Sequence, residues 1–191
     1  MELKNIVNKA SFSLKIIMFL IIIITIFTRG IVIASTVFLV TILYLYCLAT
    51  LKEKKNIFSW QLNFLLTLVF LMNILGFTFL FKYFWWWDDI MHFVTPIVTG
   101  IVSFYLFFVV KLFGKIQVTE KIAAYIIFSS TISFCAIWEI YEFFVDQLFA
   151  IGMQDSLKDT MLDLLLGFLG TSILVIIMYI FKKEDLKKFL T

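Results

Sequence analysis

The stretch Phe12-Ser13-Leu14-Lys15-Ile16-Ile17-Met18-Phe19-Leu20-Ile21-Ile22-Ile23-Ile24-Thr25-Ile26-Phe27-Thr28 carries a single charge, and Arg29-Gly30 breaks it before a second apolar run opens at Ile31. Such a run crosses the roughly 30 Å hydrocarbon core of a bilayer only as a helix, because in lipid every backbone N–H and C=O must find its partner within the segment. Reading outward for further runs predicts spans at 12–28, 31–51, 57–81, 88–112, 120–145 and 159–181. The composition agrees: 63% of the 191 residues are hydrophobic and 15% charged, against about 45–50% hydrophobic in soluble domains. That excludes a soluble globular domain. One Pro, 7 Gly and 24 Phe exclude collagen and disorder, and no charge run is long enough for a nucleic-acid arm. The expected fold is all-α, a six-helix polytopic membrane bundle forming one integral membrane domain over 1–191, without internal repeats and with the lipid bilayer as its partner.

Charge placement orients the bundle. Thirteen of the sixteen basic residues fall on one face: Lys4, Lys9 and Lys15; Lys52, Lys54 and Lys55; Lys111, Lys115 and Lys121; Lys182, Lys183, Lys187 and Lys188. Arg29, Lys82 and Lys158 remain for the other. The positive-inside rule then places both termini in the cytoplasm. A signal-peptide reading of the first run rests on its basic flank and on Val32-Ile33-Ala34. Against it, Arg29 interrupts the run, and cleavage would leave five spans with the amino terminus outside. Cys47 and Cys135 sit inside apolar runs, which points to burial rather than a bridge.

The acids fall the other way. Asp88, Asp89, Glu139, Glu142, Asp146, Asp155, Asp159 and Asp163 gather near the outer face with His92, the only histidine. Asp88 and His92 are four residues apart, on one face of span four. Glu139, Glu142 and Asp146 form a stripe near the end of span five, and Asp155, Asp159 and Asp163 repeat every four residues into span six, followed by Gly167. An ionisable residue inside a span costs at least about 2.5–3.5 kcal/mol. So many acids together require protonation, water or a cation. Oxygen donors with one imidazole suit Mg²⁺, Mn²⁺, Zn²⁺ or iron alike. Asp88, Asp89, His92, Glu139 and Asp163 are the candidate metal ligands, and Glu142 and Asp159 the candidate catalytic proton carriers. Each also has a structural reading. Asp88, Asp89 and Asp159 suit helix caps, His92 a buried histidine, and Trp85-Trp86-Trp87 an interfacial aromatic belt. Gly167 and Gly170 suit helix packing, and Thr95, Pro96, Thr99 and Gly100 either a kink or packing.

Residues 60–180 resemble the YjdF-like bacterial inner-membrane family, through Trp87-Asp88-Asp89-Ile90-Met91-His92-Phe93, Glu139, Glu142, Gln154-Asp155, Asp159-Thr160-Met161-Leu162-Asp163 and Gly167. More distantly the chain is similar to VanZ-like proteins, with Lys158 where an aromatic is common and Asp163 where those chains carry Asn. The resemblance implies a six-helix inner-membrane protein with a polar site at these positions.

Three functions fit the cluster. The first is a metal-dependent hydrolase or transferase acting at the outer leaflet on lipid-linked or cell-envelope substrates. Bound metal there polarises a phosphoryl or acyl oxygen and activates water. The second is a cation or proton transporter, which needs a polar path beyond the cluster. Below His92 and Asp163 the spans offer hydroxyls but no deeper acid before Glu120. The third is a noncatalytic membrane assembly partner.

Overall fold

The computed structural model describes residues 2–52, 60–112, 119–154 and 156–180. Among them every regular element is helical: α1 (Glu2–Lys52), α2 (Trp60–Leu75) continuing into a π-helical turn (Gly76–Leu80), α3 (Trp86–Leu112), α4 (Glu120–Phe149) and α5 (Leu157–Ile180). Four stretches of the described residues are long and apolar enough to cross a membrane: Lys4–Ile42, Trp60–Leu80, Lys121–Phe149 and Leu157–Ile180. Two features separate these four from the six expected spans. The first two expected spans join in α1, and α3, which covers the fourth expected span, is not among the four stretches found in the described residues. Residues 57–59 and 181 of the expected spans lie outside the described residues.

The chain forms two compact units, the first running through Asp88 and the second covering Asp89–Lys183. In the first, α1 is interrupted at Gly30, whose backbone (φ 82, ψ 171) is non-helical. The limb before Gly30 buries Ser11, Met18, Ile21, Ile22 and Thr25, and the limb after it Ile33, Ala34, Thr36, Val37 and Val40, each set at helical spacing. Two ties connect the first limb to the segment that follows. Lys15 Nζ donates to Asn63 Oδ1 at 3.1 Å, and the buried Thr25 and Thr78 hydroxyls are 2.7 Å apart. Both partners advance together along the chain, so the first limb and α2 run parallel.

Parallel packing dictates what α1 does at Gly30. A straight α1 would carry Lys52 about 55 Å past Lys15 at 1.5 Å per residue. The eight steps from Lys52 to Trp60 reach at most about 29 Å, yet Trp60 precedes Asn63, which touches Lys15. The second limb therefore folds back. The threonine pair joins the first limb to the π-helical turn inside a buried interface. Thr25 Oγ1 is also 2.7 Å from Ile21 O and Thr78 Oγ1 2.8 Å from Ile74 O. Two hydroxyl protons serve three contacts, so one proton crosses between helices while the other closes on its own helix carbonyl. Interhelical bonds of this kind in membranes average about 0.6 kcal/mol.

The second unit packs α3, α4 and α5 through glycines. A Cβ on Gly170 would strike the Phe93 carbonyl, one on Gly167 would meet Cys135 Sγ at 2.9 Å, and one on Gly100 would meet Leu174 and Thr131. Without side chains at these points the backbones approach closely. The same neighbours fix direction. Phe93 and Ile97 lie at Gly170 and Gly100 lies at Leu174, so α3 and α5 run parallel. Gly100 lies near Thr131 while His92 lies near Glu139, so α4 is antiparallel to α3. α3 continues as a helix through Pro96, so the kink that Pro96 allows does not break it.

Gly30→Ala tests the turn in isolation. Nothing lies within 4 Å of the added Cβ, so any loss comes from the backbone, whose conformation belongs to a region that is essentially glycine-only and costs other residues about 1–3 kcal/mol. Unfolding of the purified protein in detergent should show that loss, and an unchanged midpoint would contradict the turn.

Candidate metal centre

The buried stripe of α4 runs Ile127, Thr131, Cys135, Glu139, Glu142 and Val145, steps of three and four residues that mark one helix face. Two carboxylates thus occupy places that an ordinary core helix fills with apolar side chains. The stripe of α5 is similar, with Asp163 followed by Gly167, Gly170, Thr171 and Leu174, all buried. Because α3 and α5 run one way and α4 the other, the first turns of α3 and α5 meet the last third of α4.

His92, two turns into α3, is where they converge. Its Nδ1 lies 3.5 Å from Glu139 Oε1 and 4.0 Å from Asp163 Oδ1. One donor atom each of His92, Glu139 and Glu142 falls within 4.8 Å of the others. Glu139, Glu142 and Asp163 are buried, and His92 is half-buried. These spacings suit an ion. Two ligand atoms, each about 2.1 Å from one metal, stand roughly 3.0 Å apart at 90° and 3.4 Å at the tetrahedral angle. The 3.5 Å from His92 Nδ1 to Glu139 Oε1 is close to the tetrahedral spacing, and Asp163 Oδ1 stands about 0.6 Å beyond that spacing from the same nitrogen. A single imidazolium would not balance three ionised carboxylates, so the cluster calls for shared protons, water or a bound cation.

The remaining candidates divide. Asp88 lies in the first turn of α3, one turn before His92. Asp89 is half-buried and belongs to neither cluster found among the described residues. Asp159 is in neither as well, and the capping role considered for it belongs to Ser156. The Asp159 N–H donates to Ser156 Oγ at 3.2 Å, while Thr160 N donates to Ser156 O at 3.1 Å. Asp146 leaves the stripe in which its spacing placed it. Its Oδ1 and Oδ2 accept from the N–H groups of Met153 and Gln154, both at 2.7 Å. It thereby braces the turn after α4, where Ala150 (φ 50) and Gly152 (φ 69) reverse the chain. Asp155 lies outside the described residues.

One participant is hidden in the sequence. Trp138 Nε1 donates to Glu142 Oε1 at 2.8 Å along α4. The Trp-x-x-x-Glu spacing is visible, but an aromatic in an apolar helix gives no signal of being a donor.

A family model described as "Predicted membrane protein (DUF2238)" matches residues 9–184. No curated protein and no solved structure matches the chain.

Proposed function

The chain belongs to the DUF2238 family of membrane proteins, and from that premise we propose that it is a metal-binding membrane protein whose centre is built by His92, Glu139 and Asp163, with Glu142 beside them. The reading rests on one observation: carboxylates from α4 and α5 meet the chain's only histidine, carried on α3, at 3.5 and 4.0 Å. The activity it fits is a hydrolase or transferase acting on lipid-linked or cell-envelope substrates. Metal in this site, Mg²⁺, Mn²⁺, Zn²⁺ or iron, supplies the Lewis acid. In this reading Glu142 and Asp159 carry protons, and Asp89 is a further carboxylate in the first turn of α3. Below Asp163 the buried stripe continues as Gly167, Gly170, Thr171 and Leu174, which supports a pocket open at one end over a transport path.

The topology we propose is six spans in a bacterial inner membrane, with both termini cytoplasmic and the cluster at the outer face. The fold-back at Gly30 supports two spans within α1, and the thirteen-to-three division of basic residues sets the direction. Single cysteines placed beside Arg29 and beside Lys158, in a chain cleared of Cys47 and Cys135, should react with an impermeant thiol reagent from outside the cell; labelling only after the membrane is opened would reverse the orientation.

Elemental analysis tests the centre. Purified protein should contain about one or two metal equivalents, reduced to background in both His92→Ala and Glu139→Gln while their unfolding in detergent remains cooperative. Wild-type protein that takes up no Mg²⁺, Mn²⁺, Zn²⁺ or iron would end the metal reading.

A further inference from the structure

We infer that Trp138 is a positioning residue for the centre: its indole N–H fixes the carboxylate of Glu142, and through it the donor atom that Glu142 presents beside His92 and Glu139. This rests on the metal reading above and adds to it a residue outside the ligand set. The bond is short, 2.8 Å from Trp138 Nε1 to Glu142 Oε1, and joins residues one helical turn apart on a continuous stretch of α4. An indole N–H donates and never accepts. Glu142 Oε1 is therefore held as an acceptor, which orients the whole carboxylate because its two oxygens share one plane. The indole is itself held, with its ring 5.4 Å from that of Tyr141 at a 36° tilt.

The placement matters because of where Glu142 stands. It is buried in the stripe that also carries Glu139 and Cys135, and its donor atom shares the 4.8 Å cluster with His92 and Glu139. A glutamate has three side-chain torsions, and without a fixed partner its oxygens sample positions well outside that distance. Partners that orient metal-binding carboxylates typically contribute about 10–100-fold to affinity.

The test uses Mn²⁺ and Co²⁺ alone with full-length protein in detergent. Trp138→Phe retains the ring and deletes the donor, and it should weaken Mn²⁺ binding by about tenfold or more and shift the visible spectrum of bound Co²⁺. In the Glu142→Ala background, which removes the acceptor, the same change should have no further effect on Mn²⁺ affinity, an outcome that a merely structural tryptophan would not give. Trp138→Tyr, which also lacks a donor at the indole position, carries the same expectation if the phenylalanine variant does not fold. Mn²⁺ affinity and Co²⁺ spectrum equal to wild type in either folded variant would overturn the inference and leave the metal reading standing. Wild-type protein that binds neither ion overturns the inference, and the metal reading falls with it only when Mg²⁺, Zn²⁺ and iron are refused as well.

Discussion

Glu139, Glu142 and Asp163 lie on the inward faces of two otherwise apolar helices, and that constraint governs the rest of the second unit. A carboxylate removed from water loses far more solvation than a single hydrogen bond returns, so it persists only with partners of opposite charge, shared protons or a bound ion. Here one imidazole stands 3.5 Å from the first acid and 4.0 Å from the last. Three helices thus bring ionisable side chains to a common point, which close packing fixes. The same low-dielectric surroundings that make the acids costly alone would make their attraction for a divalent cation strong.

The packing beneath the cluster makes the meeting possible. Gly170 sits against the backbone of Phe93, one residue from His92, and Gly167 sits between Cys135 and Pro96, one turn from Asp163, as Cys135 is from Glu139. Bulkier residues would separate α3 from α5 and widen the gap between imidazole and carboxylate. Beyond the cluster, Asp146 gives both oxygens to the turn that follows α4, which joins the end of α4 to the capped start of α5. Glycines on one side and a braced turn on the other fix the height at which the acids come together.

Much of this was legible in the sequence because ionisable residues in apolar runs have few interpretations. The spacing of Asp88 with His92, of Glu139 with Glu142, and of Asp159 with Asp163 put each pair on one helix face. The direction of successive helices then brought His92, Glu139 and Asp163 to one end. Hydropathy separated less well where two spans abut: Arg29-Gly30 marked a break, but the sharpness of the turn depends on a positive φ that only glycine takes readily. Roles set by hydrogen bonds rather than periodicity were hidden. Asp146 shares the period of Glu139 and Glu142, yet backbone donors seven and eight residues later claim it. Ser156 precedes Asp159 by the three residues of a capping pair, and its hydroxyl takes the cap. Trp138 carries no sequence signal of a donor, and only the structure shows its N–H on Glu142.

Because the chain contains one histidine, coordination by His92 can be read without mutating anything. Protein prepared without a histidine tag, labelled with ¹⁵N only in histidine and loaded with Mn²⁺, should show by pulsed electron paramagnetic resonance a coupling from one directly bound imidazole nitrogen. Bound Mn²⁺ with no histidine coupling would contradict the claim that His92 and the buried carboxylates of α4 and α5 form a single metal centre.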